Sequence, residues 1–181
     1  MARPISGLFR DDLLAGQEIV LAGGGDGLAR PLRALGAEVR PLALELHDDD
    51  EEAAALAAAG RIDTLVLDAR SLAEVPHVLD AAWTVVRAVA TAAMIPDERG
   101  GKIALVAPPP PSEAARAGLE NMARTLSIEW ARFGIRPTAL APGKASTEQE
   151  IAALLAYLAS PAGDYFSGSR LSLGEVDVSL A

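Results

Sequence analysis

The feature that most constrains the fold is a regular alternation of short apolar runs with Ala- and Leu-rich segments of helical length. The apolar runs are bounded by Gly, Pro or Asp and have the continuous hydrophobic character of strands covered on both faces. Strands that alternate with helices along a chain predict βαβ units and a parallel sheet. We predict strands over residues 18–22, 39–46, 64–67, 102–106, 135–141 and 170–173.

Helices are predicted between these strands. The clearest covers residues 113–133, where Leu119, Met122 and Leu126 lie on one stripe and Gly134 is placed to end the helix. Thr147 and Glu150 predict a capping box at the start of the last helix. The other helices are predicted over residues 27–35, 49–59 and 75–94. A length of 181 residues suits one domain, residues 1–181, without a linker.

Charge and composition exclude several function classes. The formal net charge of −9 argues against a nucleic-acid groove or an anionic membrane surface, because both need basic patches. The chain has no Cys and two His, so thiol chemistry is excluded and no metal site is predicted. The acidic run 47–52 is interpreted as a solvated helix start. No apolar run is long enough to cross a bilayer, and we expect a cytoplasmic protein.

The first motif with chemical content is the glycine-rich turn at residues 23–27, between a predicted strand and a predicted helix. Backbone N–H groups at Gly23, Gly25 and Gly27 could hold the pyrophosphate of a dinucleotide at the helix N-terminus. The alternative is an empty turn kept from a binding fold. Ala29 replaces the last glycine of the usual pattern, and Asp26 brings a carboxylate near any phosphate. These departures predict weak NAD(P) binding or none.

Several segments, in order, resemble the classical short-chain dehydrogenase/reductase family. They are the glycine turn at 20–29, IDTLVLDAR at 62–70, AGLENMARTLSIEWARFGIRPTALAPG at 117–143, and residues 150–174. The opening SGLFRDDLLAGQ is similar to the N-terminal arm of members that act on acyl-CoA thioesters. The resemblance implies a single Rossmann-like, doubly wound parallel α/β sheet, here shortened on the cofactor side.

The departures from the family concern its catalytic residues. Such enzymes use a Tyr-x-x-x-Lys pair with a Ser and an Asn, and the resemblance places Ser112 at the tyrosine position and Arg116 at the lysine position. A serine hydroxyl is less acidic and shorter than a phenol, and arginine suits neither the ribose contacts nor a proton relay. No catalytic residue is therefore predicted, and Ser112 and Arg116 are degenerate positions.

Residues 113–133 and 151–173 correspond to the elements through which the family forms its subunit contacts. Loss of the catalytic residues with retention of these segments predicts a non-catalytic subunit that pairs with a full-length short-chain dehydrogenase. A homodimer through the same segments is the alternative arrangement. Two other functions stay open: an NAD(P)-dependent oxidoreductase with other catalytic residues, and a dinucleotide-binding sensor. Trp83 and Trp130 are assigned to the core rather than to an interface.

Overall fold

A six-stranded parallel sheet forms the centre of the computed structural model, which describes residues 8–42, 44, 60–72 and 74–174. The strand order is β2-β1-β3-β4-β5-β6, and every neighbouring pair is parallel. The strands are β1 (Glu18–Ala22), β2 (Glu38–Leu42), β3 (Thr64–Asp68), β4 (Gly101–Val106), β5 (Ile135–Pro142) and β6 (Ser169–Leu173). The predicted Rossmann-like α/β class is confirmed.

Helices cover both faces of this sheet. Within the described ranges the four long helices are α1 (Asp26–Ala34), α2 (Val75–Val89), α3 (Glu113–Glu129) and α4 (Glu148–Ala159). Alternate strand residues point to opposite faces, so Val20 and Leu65 pack with α2 and α3, whereas Leu21 and Val66 pack with α1 and α4. The sheet is therefore doubly wound, as predicted.

The strand predicted over residues 39–46 is present as β2, Glu38–Leu42, which pairs with β1. Residues 43, 45 and 46 of that prediction lie outside the described residues. Pro41 lacks an N–H group, which suits an edge strand because no second neighbour needs that donor. The classic order for this fold places a further strand outside β2. Among the described residues β2 is the last strand on that side, and the predicted helix at 49–59 lies outside them.

Two predicted helices are interrupted near their ends. The segment 75–94 continues from α2 into a π-helical turn, Ala90–Met94, and a short α-helical turn, Ile95–Asp97. Pro96 explains the wide turn, because its ring would clash with the carbonyl four residues earlier in a regular helix. After α3 the chain forms a 3-10 turn, Ala131–Phe133, which ends at Gly134 with φ of +70°.

The apolar stripe of α3 faces the sheet. Leu126 is 5% exposed, and Leu119 is fully buried in the same cluster. Met122 and Trp130 are partly buried against that cluster, as expected for core residues. The stripe therefore packs within the subunit and is not a free apolar patch. The assignment of Trp83 to the core is wrong, because its side chain lies on the outer face of α2 with 46% of its surface exposed.

The capping box at the start of α4 is confirmed. The Glu150 N–H donates to the Thr147 hydroxyl (3.2 Å), and the Thr147 N–H donates to the Glu150 carboxylate (2.8 Å). The backbone and side-chain hydrogen bonds from Thr147 lower the pKa of Glu150. The carboxylate's contribution to stability is thus present above glutamate's ordinary pKa and is lost as the pH falls through the lowered value.

Replacing Thr147 by Ala should destabilise the protein by about 1 kcal/mol, because the N-terminal N–H groups of α4 lose their side-chain acceptor. Urea denaturation followed by circular dichroism measures the change. Thr125→Ala is the matched control, since Thr125 is exposed within α3. Equal stabilities of the two variants would show that the box contributes nothing.

Candidate functional site

The glycine turn lies at the carboxyl end of β1, where the sheet has its topological switch point. The chain leaves β1 for β2 on one side, and β3 flanks β1 on the other, so a crevice opens between their carboxyl ends. Gly23 has φ of +80° and donates its N–H to the Leu42 carbonyl (2.9 Å). Gly25 is the N-cap of α1, and Gly27 lies in its first turn. The three predicted glycines are thus placed together at a helix N-terminus.

Side chains of the protein itself occupy the space above this turn. A Cβ placed on Gly23 would collide with the Leu44 side chain and would lie 2.6 Å from the Asp68 carbonyl oxygen. A Cβ on Gly27 would collide with the Glu148 carboxylate, whose Cδ would be 3.0 Å away. Glu148 is the first residue of α4, so the N-termini of α1 and α4 meet at this point.

Glu148 is held there by an arginine that follows β3. Arg70 Nη1 lies 2.7 Å from Glu148 Oε1, while Nη2 and Nε bond the two carboxylate oxygens of Asp68 at 2.7 and 2.8 Å. Asp68 is 4% exposed. Its hydrogen bond with the guanidinium is the main reason that the pKa of Arg70 is raised, against the opposing effect of burial, and Glu148 raises it further. Arg70 therefore remains charged and bridges the crevice.

A dinucleotide bound at this turn would meet the Glu148 carboxylate and the Leu44 side chain. Its pyrophosphate would need the N–H groups at the start of α1, where the Glu148 carboxylate now lies against Gly27. Two anionic groups cannot share that position at low cost. On the other side of the turn, Leu44 covers Gly23. Sequence reasoning identified the glycines but missed both side chains that lie over them.

The two degenerate catalytic positions lie at the start of α3. Ser112 is half-buried, precedes the first residue of the helix and makes no side-chain capping bond. Arg116 is 1% exposed, and its Nη1 donates to the carbonyl oxygens of Pro108 (3.0 Å) and Pro142 (2.7 Å). The guanidinium therefore ties the proline-rich loop after β4 to the end of β5.

A second feature is an apolar groove along the outer side of α4, of about 480 Å³. We call it the α4 groove. Its walls are mainly aliphatic and aromatic, and Leu154, within the predicted contact segment 151–173, lies in its lining. The lining residues are Leu8, Phe9, Gln149, Glu150, Ala153, Leu154, Tyr157 and Leu173. An open apolar depression of this kind is typical of a contact with another molecule.

The described residues, 8–42, 44, 60–72 and 74–174, contain no group of three His, Asp or Glu side chains close enough together to hold a metal ion. In the same ranges, no helix combines the length and apolar character needed to cross a membrane.

Comparison with known proteins identifies the class of fold. A short chain dehydrogenase from Mycobacterium smegmatis superposes with a TM-score of 0.74 at 23% identity, covering 91% of this chain and 94% of that one. A Beutenbergia cavernae protein named as an NAD(P)-dependent gluconate 5-dehydrogenase, solved with bound NADP, gives 0.72 at 23% identity and covers 90% and 96%. The fold is that of the short-chain dehydrogenases/reductases, as the resemblance implied.

Sequence relatives agree with this fold over shorter segments. An uncharacterized oxidoreductase of Caenorhabditis elegans is 41% identical over 59 residues, which are 33% of this chain and 19% of that protein. A Bacillus subtilis protein named as a 2,4-dienoyl-CoA reductase is 31% identical over 91 residues, covering 34% of this chain and 36% of its own length. The chain thus spans less than two thirds of both curated relatives. No family model matches it.

Replacing Arg116 by Ala should lower the free energy of unfolding by about 3 kcal/mol, because two buried carbonyl oxygens lose charged donors. Urea denaturation measures the loss. The matched control is Arg124→Ala on the same helix, where a solvent-exposed pair with Glu120 is removed and the change should stay below about 1 kcal/mol. A small effect of Arg116→Ala would contradict a structural role for this guanidinium.

Proposed function

We propose that this chain is a non-catalytic, cytoplasmic subunit with a short-chain dehydrogenase fold. In this proposal it assembles with a catalytically complete short-chain dehydrogenase/reductase through residues 113–133 and 151–173. The observation that carries the proposal is that the protein's own side chains fill the crevice. Glu148 and Leu44 lie over the glycine turn, and the Arg116 guanidinium is bonded to backbone carbonyl oxygens.

Ser112 and Arg116 stand at the positions of the family's catalytic tyrosine and lysine. The Arg116 guanidinium is buried and already bonded to two carbonyl oxygens, so it is committed to holding the fold together. Ser112 supplies a short alcohol where an acid of phenol-like strength would be needed. Neither group is suited to donating a proton to a substrate carbonyl.

The glycine turn is where the pyrophosphate of a dinucleotide cofactor would bind. Glu148 and Leu44 cover Gly27 and Gly23, which supports weak NAD(P) binding or none. The dinucleotide-sensor alternative requires both side chains to move. An oxidoreductase using other residues requires the same movement and a proton donor besides.

Assembly with a partner would involve the outer surfaces of the subunit. The α4 groove contains Leu154 and Leu173, and β6 is the last strand of the sheet on its side among the described residues. Ile128 of α3 and Tyr165 beyond α4 are large exposed apolar side chains in or beside the two predicted contact segments. Because the buried stripe of α3 is not available, the groove and these side chains are the surfaces that a partner would cover.

A complete relative is favoured over a second copy as the partner, because two copies of this chain would still lack the family's catalytic residues. The likeness to a protein named as a 2,4-dienoyl-CoA reductase supports a partner that acts on acyl-CoA substrates. A homodimer would use the same surfaces and is the outcome that the assembly experiment distinguishes.

The purified chain alone should not oxidise NADH or NADPH with carbonyl or enoyl-CoA substrates, because Ser112 supplies only a weakly acidic alcohol at the position of the acid. Absorbance at the nicotinamide band measures turnover, with a complete short-chain dehydrogenase as the positive control. Turnover that disappears in Ser112→Ala would contradict the proposal and make Ser112 a catalytic residue.

Replacing Leu154 by Asp should dissociate the complex with the dehydrogenase partner, because a charge would be buried unpaired at the contact. Light scattering after size exclusion measures the assembly, and circular dichroism checks the fold. His77→Asp, an exposed change at the start of α2, should leave the complex intact. A stable wild-type monomer that does not bind the dehydrogenase would overturn the proposal. A wild-type homodimer that does not bind the dehydrogenase would overturn it in favour of the homodimeric arrangement.

A further inference from the structure

We infer that Glu148 is an autoinhibitory group, which occupies the anion position at the N-terminus of α1 and so keeps phosphate-bearing ligands out of the crevice. The inference goes beyond the proposed function, because it assigns the exclusion of phosphate groups to one removable carboxylate. It rests on the weak-binding part of that proposal alone.

The position of Glu148 relative to α1 is the first argument. The first N–H groups of a helix have no partner within the helix, and together with the dipole they favour an anion. The nine-residue helix α1 begins at Asp26, and the Glu148 carboxylate is the group that a side chain on Gly27 would strike. A carboxylate of the chain itself therefore lies against the first turn of α1, on the side that Gly27 leaves open.

The second argument is that this carboxylate is held in place on both sides. Arg70 bonds it at 2.7 Å, and Arg70 is itself fixed by its bidentate contact with the buried Asp68. The residues just before Glu148 in the chain are also fixed. The Ser146 hydroxyl donates to the Leu173 carbonyl (2.9 Å), and Thr147 caps α4. A half-exposed glutamate without these contacts would sample many rotamers.

The third argument concerns the other charges around the position. Asp26, the nearest acidic residue on α1 itself, has a side chain that is 94% exposed and lies 3.9 Å from Arg33. The Asp68 carboxylate is engaged by Arg70. Removing Glu148 would therefore leave the Arg70 guanidinium and the N-terminus of α1 facing an open position. That combination suits phosphate oxygens.

Leu44 makes the inference specific to the phosphate part of a ligand. It covers Gly23 and would remain in a Glu148 variant. Inorganic pyrophosphate, which has no adenosine to meet Leu44, should thus gain more affinity than NADH does. Two probes that differ in this way separate the anion position from the rest of the crevice.

Isothermal titration calorimetry with inorganic pyrophosphate and with NADH tests the inference on the purified full chain. Glu148→Ala should bind pyrophosphate at least about tenfold more tightly than the wild type, because a like charge beside the phosphate is removed. NADH should gain less affinity, because Leu44 still covers Gly23. Glu148→Gln should show a smaller gain, since its amide loses the charge but still fills the space. The matched control is Glu129→Ala, an exposed residue of α3 that makes the same change in net charge.

Affinities of the Glu148 variants within about twofold of the Glu129 control would overturn the inference and leave the Arg70 contact as purely structural. Circular dichroism of both Glu148 variants checks the fold, and Glu148→Gln alone decides the result should Glu148→Ala be unstable. Tight NADH binding by the wild type would overturn the inference together with the proposed weak binding. A gain in affinity without any dehydrogenase complex would support the inference while overturning the proposed subunit function.

Discussion

The parallel sheet is buried under helices on both faces, and the rest of the molecule depends on that burial. Backbone groups of the central strands cannot reach water, so each strand must find its partners within the sheet. β3 and β4 meet this requirement by pairing with a strand on each side. Their apolar side chains fill the cores on both faces of the sheet. Parallel pairing also brings the carboxyl ends of β1 and β3 to one edge, which creates the crevice whether or not a ligand uses it.

A crevice of this kind must be filled or solvated, and here charged side chains of the chain itself fill it. Arg70 links the buried Asp68 to Glu148 across the gap between β3 and α4. Arg116 does the same at the neighbouring position, joining the loop after β4 to the end of β5. Arg116 lies where the resemblance places the catalytic lysine, and Arg70 ends the segment 62–70 that resembles the family. Both arginines hold structural elements together.

The strands and the capping box could be predicted because they depend on local patterns. The prediction for β1 was exact, and Thr147 and Glu150 are only three residues apart. The occupants of the crevice could not be predicted in the same way. Glu148 lies 78 residues from Arg70 along the chain, and no local pattern relates them. Trp83 was misplaced because an aromatic residue in an apolar helix has the same sequence context whether it faces the sheet or solvent.

The three glycines of the turn differ in whether the fold itself requires a glycine. Gly23 has a positive φ and lies so close to the Asp68 carbonyl that no side chain fits, so the fold itself requires glycine there. Gly27 is constrained less strictly, because its close neighbour is the Glu148 carboxylate, the end of a half-exposed side chain, rather than backbone. Gly25 has open space around its Cα, and neither its φ of −99° nor its surroundings require glycine in this structure. Packing alone thus requires Gly23, and its presence is no evidence that a dinucleotide binds.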